Sequence, residues 1–232
     1  IGYEDALRVS SNTFFYQVGV GVGDSALYEA AVELGFNALT GIEIGYEESK
    51  GIVGNKAWAS KGRGWGKPGQ TPWIPEDIAS ASIGQSVVQI TPLQLARAYA
   101  VFANGGYLVT PHLADLDVDW TSSPYRKKVK MKPSTLETIR RGLKKVVESG
   151  TGSTLILSSP NLPPVAGKTG TAEDSSGGPD HAWFVCFAPY KSSEVVVVAF
   201  AQNMPGGGSV HALPMAQKVL EAWNRNRMSD TF

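Results

Sequence analysis

Val165-Ala-Gly-Lys-Thr-Gly-Thr-Ala-Glu173, Ala182-Trp-Phe-Val-Cys-Phe-Ala-Pro189 and Glu194-Val-Val-Val-Val-Ala-Phe-Ala-Gln202 follow one another in the last third of the chain. Each run is strand-sized, rich in β-branched, aromatic or small residues, and bounded by turn formers. They predict strands over 165–172, 182–189 and 194–202. Tyr190-Lys-Ser-Ser193 is too short for a crossover, so the last two runs pair antiparallel. Gly206-Gly-Gly208 then breaks the chain, and 212–224 reads as an amphipathic helix with Met215, Val219, Leu220 and Trp223 on its apolar face.

Upstream the periodicity changes to that of helices. Residues 4–22 read as a helix with Leu7, Phe14, Phe15 and Val18 as a partial apolar face, interrupted at Ser10-Ser11-Asn12, whose side chains compete for backbone hydrogen bonds. Asp24 or Ser25 caps a second helix over 26–34 that stops at Gly35. Residues 41–76 carry many Gly, Pro, Lys and Trp with little periodicity and read as a long ordered loop, because Trp58, Trp65 and Trp73 want burial. Thr91-Pro92 caps and starts a helix that ends at Asn104-Gly105-Gly106. Short strands and turns fill 107–133. Ser134-Thr-Leu-Glu137 reads as a capping box, followed by a helix with Leu136, Ile139, Leu143, Val146 and Val147 on one face and a stop at Gly150. The fold class is α/β of the α+β type: an antiparallel sheet with helices packed on its faces. The whole of 1–232 reads as a single domain, with 1–150 mainly helical and 151–232 holding the strands and a terminal helix.

Composition removes several function classes. The chain has 21 Lys plus Arg against 21 Asp plus Glu, and no basic stripe interleaved with aromatics, which excludes nucleic acid as a partner. Arg126-Lys127-Lys128 and Lys144-Lys145 read as solvated faces. A hydrophobic content of 42% is that of a globular protein, and no apolar run reaches the length of a membrane span. The single cysteine, Cys186, lies in an apolar run and reads as a small core residue. His112, His181 and His211 are scattered, and with Cys186 they show no metal-ligand spacing, so no metal or cofactor is expected. Asp180-His181 reads either as a pair that positions substrate near a groove or, more simply, as strand-entry residues, and Ser175-Ser-Gly-Gly178 as a loop beside a cleft, since no Lys follows it as in a phosphate cradle.

Lys168, Thr169, Gly170 and Thr171 carry the chemistry. Lys168 supplies positive field and an amine for a proton relay. Thr169 and Thr171 offer hydroxyls to a carboxylate, and Gly170 lets a substrate backbone approach closely. The Thr171 N–H can face an oxyanion, and an exposed strand edge can take an extended peptide as a further strand. Ser10 and Asn12, two residues apart, add a hydroxyl that can pass a proton to a leaving amine and an amide that can hold a carbonyl. Separately, Ser-x-Asn reads as a helix cap and Lys-Thr-Gly as a turn; together they point to serine acyl transfer.

Four stretches resemble the transpeptidase domain of class B penicillin-binding proteins, elongation type: Ser10-Ser-Asn-Thr-Phe-Phe-Tyr-Gln17; Ser82-Ile-Gly-Gln-Ser-Val-Val-Gln-Ile-Thr-Pro-Leu-Gln-Leu-Ala96 with Phe102-Ala-Asn-Gly-Gly106; Ala166-Gly-Lys-Thr-Gly-Thr-Ala-Glu173; and Asp180-His-Ala-Trp-Phe184 with Phe187-Ala-Pro189. The resemblance covers nearly the whole chain. It implies a D,D-transpeptidase that crosslinks peptidoglycan stem peptides, is acylated by β-lactams, and works at the extracytoplasmic face of the inner membrane with a glycosyltransferase and cell-elongation proteins as partners. Ser10 and Asn12 match the second family motif, Lys168, Thr169 and Gly170 the third, and Thr171 the position that contacts the substrate carboxylate. The first motif, Ser-x-x-Lys with the nucleophile, occurs nowhere in the 232 residues. In the family it lies upstream of Ser-x-Asn, together with a membrane anchor and two of the five sheet strands. The chain is therefore expected to be a C-terminal fragment holding three strands and inactive alone. A D,D-carboxypeptidase or β-lactamase-like hydrolase, and a non-catalytic domain that binds β-lactam or peptide, are the alternatives.

Overall fold

The computed structural model describes residues 1–229 except 64, 65, 71, 115, 116, 175 and 176. The chain opens with α1 (Tyr3–Arg8) and α2 (Asn12–Glu33). Ser11 caps α2, its Oγ accepting the Phe14 N–H at 3.4 Å. Gly23 breaks the helical dihedrals inside α2 at φ 83°, so the region is two helical stretches joined by a kink, close to the expected pair. Asp24 does not cap its own helix; its Oδ2 accepts the Lys56 N–H from a later segment. Val18, expected on the buried face, is 41% exposed.

Residues 41–76 are more structured than the sequence suggests. They hold a 3-10 turn over Gly45–Glu47, β1 (Ile52–Val53), α3 (Lys56–Ser60) and the start of α4 (Pro75–Ala81). Asn55 caps α3 by accepting the Trp58 N–H, and a largely buried Arg63–Asp77 ion pair at 2.6 Å ties the segment to α4. Elements this short draw their stability from such long-range contacts, so no periodicity announces them. Trp65 lies outside the described residues.

After β2 (Val88–Gln89), which pairs with β1, comes α5 (Pro92–Ala103). Its capping box is complete: Thr91 accepts the Gln94 N–H, and Gln94 accepts the Thr91 N–H. Then follow β3 (Tyr107–Val109), β4 (Arg126–Lys128), which form an antiparallel pair, and α6 (Pro133–Ser149). The expected capping box at Ser134 does not form. Pro133 fills the first helical position, its fixed φ starting the helix one residue earlier. Lys132 becomes the N-cap, and the Ser134 carbonyl instead accepts the Thr138 hydroxyl.

The short α7 (Thr154–Ser158) leads into β5 (Ala166–Ala172), β6 (His181–Ala188) and β7 (Val195–Ala201), an antiparallel sheet in the order β5-β6-β7 with Lys168 opposite Val185 and Val185 opposite Val198. One apolar cluster holds Val165, Phe184, Cys186 and Val197 with residues of the terminal helix α8 (Ala212–Ser229); a second packs Ala166 and Phe187 against Phe102 of α5 and Leu143 of α6. The sheet thus lies between α8 on one side and α5 and α6 on the other. α8 is rotated from its expected face: Ala212, Leu213, Ala216 and Leu220 are buried, while Met215 and Val219 are 47% and 51% exposed. Alanines at 212 and 216 let the helix axis sit close to the sheet, so the contact line follows them and not the bulkier neighbours. Trp223 covers the rim of the cluster as expected. Arg140 of α6 is buried and charge-assisted: it donates to the carbonyls of Phe102 and Ala103 at the end of α5 and of Tyr190, with its guanidinium over the Phe187 and Tyr190 rings.

Candidate functional site

β5 is an edge strand, and its first residues are locked into the core. Val165 and Ala166 are buried, and the strand emerges only from Lys168 onward. Successive side chains alternate faces. Ala166 and Lys168 therefore point to the α5–α6 side, and Thr169 and Thr171 to the other.

Lys168 Nζ donates to Ser10 Oγ at 2.7 Å and to the Thr169 carbonyl at 2.8 Å. The bond to Ser10 joins two motifs 158 residues apart. Burial pushes the Lys168 ammonium down to about 8, because desolvation disfavours the charged form. Near neutral pH the amine is therefore still mainly the ammonium but gives up its proton far more readily than an exposed lysine, which suits a group that hands protons through a hydroxyl.

Ser10 is held by the junction of three elements. Glu4 of α1 pairs with Arg141 at 2.8 Å and Lys145 at 3.0 Å of α6. The Arg8 carbonyl accepts the Thr151 N–H at 3.2 Å, just past α6. Ser10 itself sits at φ 54°, left-handed backbone that costs a non-glycine residue of order 1–2 kcal/mol. The strain places its hydroxyl outside both helices and against β5. Asn12 is exposed on the first turn of α2, two residues beyond Ser10.

The other face of β5 carries the hydroxyls. Thr169 Oγ1 and Thr151 Oγ1 share a hydrogen bond at 2.7 Å. Near Gly170 the chain at 206–208 comes down onto the strand. A side chain on Gly208 would place its Cβ 2.2 Å from the Trp183 carbonyl and 2.6 Å from that of Gly170. At the far end, Gln85 Nε2 donates to the Thr171 carbonyl at 3.0 Å and its Oε1 accepts the Glu173 N–H at 3.2 Å.

The structure thus brings Ser10, Lys168, Thr169, Gly170 and Thr171 to one strand edge; Asn12 lies two residues beyond Ser10 on α2, and its side chain bonds none of them. It also adds two residues that motif reading gave no role, Thr151 and Gln85. Both act over long sequence separations; the local hint is that Gly84 at φ 78° and Ser86 at φ 56° bracket Gln85 in a sharply turned loop. Asp180 and His181 serve the strand start: the Asp180 carbonyl accepts the Met204 N–H, and His181 Nδ1 accepts the Asn203 N–H. Cys186 is fully buried in β6, and burial pushes its thiol up to about 12. Among the described residues no cluster of His, Cys, Asp and Glu has the makings of a metal site, and no helix is long and apolar enough to cross a membrane.

Comparison with known proteins gives this geometry a context. The family described as penicillin binding protein transpeptidase domain matches residues 1–221. The peptidoglycan D,D-transpeptidase MrdA of Haemophilus influenzae is 32% identical over 243 residues, spanning 96% of this chain and 36% of that protein. The penicillin-binding protein PBP2 of Helicobacter pylori, solved in complex with MreC, superposes with a TM-score of 0.81 at 25% identity over 97% of this chain and 40% of that one. Penicillin-binding protein A of M. tuberculosis, solved as a penicillin G acyl-enzyme complex, superposes with a TM-score of 0.73 at 25% identity over 96% of this chain and 48% of that one. The chain spans about a third of the length of the curated relatives it matches.

Proposed function

Because the chain belongs to the penicillin-binding protein transpeptidase family, we propose that it is the C-terminal part of a peptidoglycan D,D-transpeptidase whose nucleophilic serine lies upstream. The observation that carries this reading is the 2.7 Å bond between Lys168 Nζ and Ser10 Oγ, a proton path aimed along an open strand edge.

The reaction would run in two halves. The upstream serine Oγ attacks the penultimate carbonyl of a D-Ala-D-Ala stem peptide and hands its proton to the lysine of its own Ser-x-x-Lys motif. The Thr171 N–H faces the developing oxyanion. The C–N bond breaks as the leaving amine takes a proton through Ser10, whose hydroxyl Lys168 holds and replenishes, and free D-Ala departs. An amine of a neighbouring stem peptide then attacks the ester and passes a proton back through Ser10 to Lys168 as the new amide forms, and the upstream lysine returns the serine's proton as the ester C–O bond breaks. Thr169, Thr171 and the Lys168 charge hold the donor carboxylate. Gly170 keeps the edge bare, and the Asn12 amide holds a substrate carbonyl. A β-lactam follows the first half and stops there, as the penicillin G acyl-enzyme of the M. tuberculosis relative does. The protein would act at the extracytoplasmic face of the membrane, alongside a glycosyltransferase and cell-shape proteins; the complex of the H. pylori relative with MreC supports partners of that kind.

Labelling with a fluorescent penicillin tests the reading. The 232-residue chain alone should not label, and the protein extended upstream should. Lys168→Ala in the extended protein should abolish labelling. Covalent labelling of the 232-residue chain, or unchanged labelling of Lys168→Ala, would overturn it.

A further inference from the structure

Gln85 meets β5 in an unusual way. Its carboxamide bonds the carbonyl of Thr171 and the N–H of Glu173, two residues on. This is how a residue of a parallel strand straddles its neighbour. One side chain thus fills the pairing position that a further strand would take at Ala172. It also shows which main-chain groups of β5 face away from β6: those of Thr171 and Glu173, and by the period of two those of Thr169.

We propose that Gln85 is a specificity-determining residue, a stop that fixes how far an extended peptide can add along β5. The proposal rests on the reading above, in which the β5 edge binds the acyl-donor peptide. A chain bound at Thr169 and Thr171 cannot continue toward the start of β5, because Val165, Ala166 and Gly167 are buried. It can continue only toward Ala172 and Glu173, and there Gln85 already holds both outward groups. With its scissile carbonyl at the Thr171 N–H, the donor must leave the sheet there, short of the Thr171 carbonyl and the Glu173 N–H that Gln85 holds, so a donor lengthened on its amino side gains nothing from the strand.

The stop is rigidly mounted. Gly84 and Ser86, on either side of Gln85, are both left-handed, a conformation that a serine keeps only when its surroundings fix it. The next residue, Val87, is buried, and its carbonyl accepts the Gly54 N–H at 2.9 Å.

The test uses the extended protein and two donors ending in D-Ala-D-Ala: the acetylated dipeptide, which ends before Glu173, and the same peptide lengthened by three residues on its amino side. Second-order acylation rates are read by intact-mass spectrometry, and a fluorescent penicillin is run in parallel. Wild type should treat the two donors alike, within about twofold. Gln85→Ala frees the Thr171 carbonyl, which the penultimate N–H of either donor then reaches, and the Glu173 N–H, which only the longer donor reaches. Both donors should improve by up to about fivefold at the first group, and the ratio of longer to shorter should rise by a further factor of about five, the worth of one added hydrogen bond. Gln85→Glu keeps the acceptor for Glu173 but loses the donor to Thr171, and should leave the ratio near that of wild type. A merely structural role would lower both rates together and leave the ratio fixed, and that result overturns the stop. If penicillin labels wild type but the ratio does not move in Gln85→Ala, the stop alone fails. If wild type takes neither penicillin nor donor, the transpeptidase reading fails and the stop falls with it.

Discussion

Replacing Gly150 with alanine should disable the site from a distance. Gly150 closes α6, and its Cβ would lie 2.2 Å from the Arg8 carbonyl and 2.9 Å from the Cα and O of Val146. An ordinary carbon–oxygen contact is about 3.3 Å. The end of α1 must therefore move by about 1 Å, since backbone and not a flexible side chain stands in the way. Two consequences follow. The Thr151 N–H bond to the Arg8 carbonyl stretches from 3.2 Å beyond useful length, and overpacking adds its own cost, together about 2–4 kcal/mol. Ser10 is two residues past Arg8, so its bond to Lys168 opens from 2.7 Å to about 3.7 Å. A misplacement of that size costs about 100-fold in rate. Gly152→Ala is the matched control: its Cβ would meet nothing closer than 3.4 Å. The assay is acylation of the extended protein by fluorescent penicillin, with a thermal melt of each variant. If both substitutions leave acylation and melting alike, the α1–α6 junction does not position Ser10.

Other outcomes follow from named contacts. The Lys168 amine should titrate near 8, seen as the midpoint of the NMR shift of its 13C-dimethylated form; a midpoint near 10.5 would show that burial does not tune it. Since its folded pKa lies below its unfolded one, the unfolded chain binds more protons between about 8 and 10.5, and this residue's contribution makes stability rise with pH across that window and stay flat below it. Arg140→Met should cost about 3 kcal/mol in chemical denaturation by stranding the carbonyls of Phe102, Ala103 and Tyr190, and a loss under 1 kcal/mol would mean water replaces the guanidinium. Cys186 should resist a thiol reagent in the native protein and react at once in denaturant, and fast native labelling would contradict its burial.

The three strands of the sheet were legible to within a residue or two because long apolar runs between turn formers leave little choice. Thr91 was legible as a cap because Pro92 follows it at the first helical position; the reciprocal bond from Gln94 emerged only in the structure. Ser134 failed by the same logic, since a proline one residue earlier claims the helix start. The face of α8 failed because hydrophobicity favours Met215 and Val219, whereas close packing favours the alanines at 212 and 216. In the site, Lys168 and Ser10 were legible as types whose chemistry fits together. What no local pattern contains is the contact between them, or the bonds of Thr151 and Gln85 to β5, which exist only once distant elements dock.

Ser10 also bears on how this protein would respond to selection. Its φ of 54° is a conformation that glycine adopts without strain, so Ser10→Gly should relax the backbone while deleting the hydroxyl beside Lys168. A library screened for thermal tolerance alone would therefore drift to glycine at position 10, and each improved clone would have lost its proton path. Survival of the serine under such a screen is only assured if turnover is selected at the same time.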